Sequence, residues 1–360
     1  MLKNPRLVAI GKRLITNALK LRLPIGFIIR PLIFRHFCGG ESLDSCSSVI
    51  SRLGEYGVRV IPDFSAEGKE DEEAFDRVKG EVLRTIQLAA GSATVISAVF
   101  KPTGIAPFGL WEKLSSGDVL TPVEAESHRR LEQRMEEIFS EAARVGVPVM
   151  VDAEESWIQP AVDAVVRRYG ERYNIDKVLV YNTLQMYRND RLAFMKSELV
   201  RAMTKGYMLG YKIVRGAYHE KEISRARQLG YPCPVYTKKE ETDEAYNAAL
   251  VYCFENRDRI SFCAATHNEQ SSLLLAQLLD EHQLAGNAHI TFAQLYGMSD
   301  NLTFNLAKAG FVAAKYLPYG PVREVIPYLF RRAEENRSID GQTGRELAFL
   351  RRELKRRKET

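Results

Sequence analysis

Eight short runs of β-branched and apolar residues recur along this chain, each separated from the next by a longer stretch with helical periodicity. They are residues 58–63, 94–101, 148–152, 177–184, 209–216, 259–266, 289–295 and 312–318. Each is strand-length and mostly apolar, the pattern of strands buried on both faces of a parallel sheet. Between them the signals are helical. Thr121 stands as a cap before Pro122-Val-Glu-Ala-Glu, which puts acids in the first turn. Over 242–256, Tyr246, Ala249, Leu250 and Cys253 share one face. Eight strand–helix units in 360 residues predict a (β/α)8 TIM-like barrel over 57–345. Residues 1–90 read as a mainly helical N-terminal segment leading into the first strand, and 346–360 as a basic C-terminal helix or tail. A doubly wound sheet is the rival fold. It would normally carry a G-x-G-x-x-G turn after its first strand, and none occurs.

In such barrels the active site lies at the C-terminal ends of the strands. Polar residues stand at most of those ends here. The second run ends at Lys101 and the third at Asp152. Gln185 follows the fourth, Arg215-Gly-Ala-Tyr218 closes the fifth, and Thr266-His267-Asn268 closes the sixth. The seventh contains Gln294 and the eighth Tyr316. The final helix adds Tyr328, Arg331, Arg332 and Glu335 at i, i+3, i+4 and i+7, hence on one face. An adjacent Arg pair near the mouth suits a carboxylate ligand, since guanidinium binds carboxylate through two parallel hydrogen bonds. The same spacing also suits a solvated surface helix.

Charge and composition narrow the function classes. The net charge of +5 is mild, but basic residues gather at both ends, with no acid before Glu41. Those ends are either ordinary solvated faces or contacts to an anionic membrane surface. Residues 21–37 are interrupted by Arg22, Pro24, Arg30, Pro31 and Arg35, too often to span a bilayer, and read instead as an interfacial stretch. No alternation of aromatics with basic residues suggests nucleic-acid binding. The five cysteines form no CxxC pair and the six histidines are scattered, so free thiols and no metal site are expected.

Together these residues resemble the proline dehydrogenase family, of the monofunctional, FAD-dependent type. The segments that carry the likeness are Val151-Asp-Ala-Glu-Glu155, Tyr181-Asn-Thr-Leu-Gln-Met-Tyr187, Lys212-Ile-Val-Arg-Gly-Ala-Tyr218, Pro234-Val-Tyr-Thr237, Thr266-His-Asn268 and Tyr328-Leu-Phe-Arg-Arg-Ala-Glu-Glu-Asn336. The resemblance implies a flavoprotein oxidoreductase of proline catabolism. It would oxidise L-proline to Δ1-pyrroline-5-carboxylate with noncovalent FAD and pass electrons to a membrane quinone. Its place would be the cytoplasm, peripheral on the inner face of the cell membrane, or the mitochondrion in a eukaryote.

Carried over residue by residue, the likeness makes Asp152 and Lys212 catalytic. Lys101, Arg331 and Arg332 would hold the proline carboxylate, with Glu335 orienting the arginines or meeting the cofactor. Tyr218, Leu295, Tyr316 and Tyr328 would wall the ring. Gln185, Lys212, Val214, Arg215, Gly216, Ala217, Thr237, Thr266 and His267 would meet FAD. Small residues at 216 and 217 would let backbone approach a flat ring system. Many family members carry Arg where this chain has Lys212 and Lys where it has Arg215. A positive charge survives that exchange, but a bidentate contact does not. His219 is expected either to stack on the cofactor or to face solvent. The alternative function is a barrel enzyme that acts on another carboxylated or phosphorylated metabolite without a redox cofactor.

Overall fold

A computed structural model describes residues 34–65, 70–326 and 328–329. Eight parallel strands run β1 (Arg59–Phe64), β2 (Ala98–Phe100), β3 (Val149–Val151), β4 (Val180–Gln185), β5 (Leu209–Val214), β6 (Ile260–Ala265), β7 (Ile290–Leu295) and β8 (Ala313–Tyr319). Their order, β1-β8-β7-β6-β5-β4-β3-β2, places the first and last strands side by side. The ring closes where Val60 N–H donates to the Thr94 carbonyl at 2.8 Å and Ile96 N–H donates to the Val60 carbonyl at 3.1 Å. The barrel expected from the eight runs is therefore present. Its second run is divided: residues 94–96 pair with β1, and Ala98–Phe100 pair with β3.

The helices are α1 (Ser47–Glu55), α2 (Glu72–Ala90), α3 (Phe108–Ser116), α4 (Pro122–Val145), α5 (Gln159–Tyr173), α6 (Arg191–Lys205), α7 (His219–Leu229), α8 (Lys239–Glu255), α9 (Glu269–Glu281) and α10 (Asp300–Lys308). Their ends follow local chemistry. Asp71 caps α2 by accepting from Ala74 N–H at 2.8 Å. Thr121 and Glu124 form a reciprocal capping box at the start of α4. Gly146 and Gly206 end α4 and α6 in the left-handed conformation.

Apolar side chains form two layers. One lies between sheet and helices, with Tyr211 and Ile213 of β5 against Tyr246, Ala249 and Leu250 of α8. The other fills the barrel, from Ile61, Val99, Met150 and Tyr181 to Cys263, Ala293, Ala314 and Tyr316. All five cysteines are free thiols. Of the N-terminal segment, the described part contains a helical turn at Arg35–Phe37, then α1 and β1. Residues 1–33 and 346–360 lie outside the described residues. Among those that are described, no helix is long and apolar enough to cross a membrane.

Candidate active site

Alternation along a strand decides which side chains reach the barrel axis. On β5, Tyr211 and Ile213 pack outward against helices, so Lys212 between them is directed inward. There Lys212 donates a hydrogen bond to Asp152 Oδ1, just past β3. Asp152 Oδ2 accepts from the Tyr316 hydroxyl of β8 at 2.8 Å, and Lys101 Nζ, just past β2, lies 3.9 Å from it. The Lys212 ammonium also sits 4.9 Å from the Tyr316 ring centroid. Lys101 in turn reaches Asp63 Oδ2 of β1 at 3.3 Å. Four strands thus deliver an alternating array: Asp63, Lys101, Asp152, Lys212.

Burial alone would raise the Asp152 pKa. The charges of Lys212 and Lys101, with hydrogen bonds from Lys212 and Tyr316, outweigh it and hold the carboxyl below its usual range. Burial, then the Asp152 charge, push the Tyr316 phenol well above its usual value. Two residues beyond Asp152, burial drives Glu154 the other way, up to about 7, against hydrogen bonds from Thr103 that oppose the rise. Glu154 accepts from Thr103 N–H at 3.0 Å and from its hydroxyl at 2.8 Å, which ties the turn after Lys101 to the loop after β3. Buried Gln185 joins a third loop to these. Its amide donates to the Glu154 carbonyl at 2.6 Å, and its Oε1 accepts from Ala217 N–H at 3.3 Å.

The rim after β5 has its own frame. Val214 is half-buried, while Gly216 and Ala217 are exposed. The Arg215 guanidinium is directed to Asp243 at 2.6 Å, the Thr266 hydroxyl at 2.6 Å and Ser271 at 2.9 Å, and lies 4.3 Å from the Tyr246 ring centroid. Arg215 therefore fixes Thr266 and the start of α9. Gly216 has φ +130°, and a Cβ there would stand 2.4 Å from the Tyr187 ring. Close passage over that ring accounts for the glycine within the protein itself. Tyr218 is half-buried beneath Lys221, 5.2 Å from its ring centroid. His219 donates through Nε2–H to the Tyr236 carbonyl at 2.8 Å and lies beside Tyr187. Thr237 is exposed on a segment tied to the loop after β4 by Tyr236 N–H to the Tyr187 carbonyl, 2.8 Å. Half-buried His267 bonds Ser299 Oγ through Nδ1 at 3.0 Å.

On the apolar side, Leu295 touches both the barrel interior with Tyr316 and a second cluster with Phe34, Phe37, Met298, Val325 and Tyr328. Tyr328 is buried there and contributes electrostatically to the Tyr316 shift. Arg331, Arg332 and Glu335 lie outside the described residues. The structure thus unites Lys101, Asp152, Lys212 and Tyr316 in one network, brings Leu295 and Tyr328 against its edge, and sets the β5 and β6 ends beside it.

Asp63 and Glu154 belong to this arrangement although the strand-end reading did not select them. Asp63 closes the first apolar run, so extending the strand-end rule to that run would have found it. Glu154 lies inside the 151–155 segment, but only its buried carboxyl marks it. The donor set fits a flavin on chemical grounds. Lys212 on β5 supplies a buried cation, and the backbone at 216–217, just past the end of that strand, is exposed. Thr237, Thr266 and His267 add hydroxyl and imidazole groups at the ends of nearby loops, with the Thr266 hydroxyl held by Arg215, a donor set suited to a flat ring with polar edges and an anionic tail.

Comparison with known proteins extends the case. The chain is 36% identical over 321 residues to the carbapenem antibiotics biosynthesis protein CarD of Pectobacterium carotovorum subsp. carotovorum, covering 89% of this chain and 83% of that protein. It is 33% identical over 374 residues to mitochondrial proline dehydrogenase 1 of Arabidopsis thaliana, covering 92% and 75%. It is 32% identical over 384 residues to the mitochondrial enzyme of the same name from Dictyostelium discoideum, covering 94% and 67%. Proline utilization A from Bdellovibrio bacteriovorus, inactivated by N-propargylglycine, superposes with a TM-score of 0.75 at 22% identity. That match covers 85% of this chain and 33% of the larger one, so this chain spans about a third of its length and the likeness concerns the fold. The family model described as proline dehydrogenase matches residues 46–345. Its span, the identities over most of the chain and the barrel agree: the chain is an enzyme of the proline dehydrogenase family.

Proposed function

We propose that this enzyme oxidises L-proline to Δ1-pyrroline-5-carboxylate, the first step of proline catabolism to glutamate, with noncovalently bound FAD and a membrane quinone as final acceptor. The observation that carries the reading is the Lys101–Asp152–Lys212 array with Tyr316, set at the mouth of a barrel of this family. FAD, when bound, supplies the hydride acceptor. The chain supplies placement. Lys101 presents a cation to the substrate carboxylate, joined by Arg331 and Arg332, with Glu335 orienting the pair. Tyr218, Leu295, Tyr316 and Tyr328 enclose the ring and keep water away. Asp152 anchors both Lys212 and the Tyr316 hydroxyl, so the cation and the ring wall keep one geometry from turnover to turnover.

Gln185, Lys212, Val214, Gly216, Ala217, Thr237, Thr266 and His267 are the residues assigned to FAD, and Arg215 acts on it by holding Thr266. The stretch 21–37 is assigned to peripheral contact with the membrane that holds the quinone, at the inner face of the cell membrane or in a mitochondrion, apart from Phe34 and Phe37, which are buried beside Leu295 and Tyr328. Several relatives are named as mitochondrial. The test is the visible spectrum of the purified protein, followed by L-proline without oxygen. Flavin bands that bleach support the proposal. Bands that persist refute the substrate, and a protein that takes up no FAD on reconstitution refutes the cofactor.

A further inference from the structure

Several carboxylates border the mouth, and most have their oxygens engaged. Asp152 receives Lys212 on Oδ1 and Tyr316 on Oδ2. Thr103 occupies both oxygens of Glu154. Glu155 receives Lys221 at 2.7 Å. Asp63 differs. It is 1% exposed, its Oδ2 receives Lys101 and the Ser65 hydroxyl, and its Oδ1 is buried with no hydrogen-bond partner. Buried polar atoms are nearly always paired, and each carboxylate oxygen has room for donors.

The charges of the array sharpen the point. Lys101 and Lys212 are balanced by Asp63 and Asp152, so an α-amino acid that gives its carboxylate to the cations brings an amine in need of an anion. Amine and carboxylate share one carbon in such a molecule. The adjacent cation and anion of Lys101 and Asp63, 3.3 Å apart, are the mirror of that zwitterion. Resting on the substrate reading above, the geometry points to Asp63 as a specificity-determining residue. Its Oδ1 accepts a hydrogen bond from the substrate ring nitrogen, while its Oδ2 keeps Lys101 placed for the carboxylate.

The experiment uses the flavin-loaded full chain and two planar carboxylates of the same shape, pyrrole-2-carboxylate, which has a ring N–H, and furan-2-carboxylate, which has none. Calorimetric titration gives each Kd. The expected wild-type preference for the N–H ligand is about tenfold, the usual scale for one added hydrogen bond at a site built to accept it. In Asp63→Asn the preference collapses towards unity, because an amide kept on Lys101 by its oxygen offers an N–H, not an acceptor, to the ligand. Equal affinities in wild type overturn the proposal even if the variant does not fold. A preference that survives in a folded Asp63→Asn also overturns it. Failure of wild type to bind either carboxylate or L-proline refutes the substrate reading itself, an outcome distinct from equal binding of both.

Discussion

Tyr316 and Asp152, 164 residues apart in the chain, meet across the barrel mouth at 2.8 Å. The contact joins the eighth strand to the third, and Asp152 passes it on to the fifth through Lys212. A ring wall and a buried cation therefore depend on one carboxylate.

Loss of that carboxylate strands the cation. Lys212 has a side chain only 5% exposed, and Asp152→Ala leaves it without its anion. We expect a stability loss of about 3–5 kcal/mol, the range for breaking a buried ion pair from one side. Urea unfolding measures it. Adding Lys212→Met to Asp152→Ala is expected to recover a large part of the loss, whereas additive losses would show that the two side chains are not coupled.

Glu154 predicts a pH dependence of opposite sign to that of Asp152. Its folded pKa of about 7 lies above the ordinary carboxyl value. The native state therefore holds a proton that the unfolded chain has already released, and stability falls as pH rises from about 4.5 to 7, by about 3 kcal/mol in all. Asp152, held low, contributes stability above its unfolded pKa, lost as pH falls through the folded value. Unfolding of Glu154→Gln at pH 5 and pH 7.5 is expected to show a shallower change than wild type. An identical change would contradict the raised pKa.

Gly216→Ala puts a methyl group where the Tyr187 ring already is, on a backbone at φ +130°. The expected cost is about 2 kcal/mol or more, with reduced flavin retention, from strain and overlap together. Tyr187→Ala in the same chain removes the overlap but not the backbone strain. Partial recovery of melting temperature is the expected result; none at all would mean that the ring is not the obstacle.

Tyr328 predicts substrate choice. It is buried beside Leu295, and a phenol packed on a five-membered ring leaves no room for a 4-hydroxyl. We expect kcat/KM for L-proline to exceed that for trans-4-hydroxy-L-proline by about tenfold or more, the scale on which a filled pocket discriminates. Equal values would contradict this role.

Much of this molecule is written locally. The eight apolar runs mark eight strands because a strand covered on both faces has no use for polar alternation, and the Thr121 cap is visible for the same kind of local reason. Lys101, Asp152, Gln185 and Tyr316 are legible as polar groups at strand ends once the barrel is recognised. What no local pattern contains is pairing. Lys212 looks like Arg215 in sequence, yet strand alternation turns Lys212 inward to Asp152, while Arg215, past the strand end, is held by Asp243, Thr266 and Ser271.

The glycine at 216 carries the same lesson. Sequence offers a small residue near a cofactor; the fold places the Tyr187 ring beneath it. Barrel closure is likewise tertiary, because the run 94–101 is divided between β1 and β3 only when the ring must bend shut. Composition and periodicity determined the barrel and the class of residue at its mouth, since those depend on burial and on neighbours a few positions away. Which lysine faces which carboxylate, and that Asp63 keeps one oxygen unpaired, was decided by long-range packing, because those contacts join strands whose order around the ring exists only after folding.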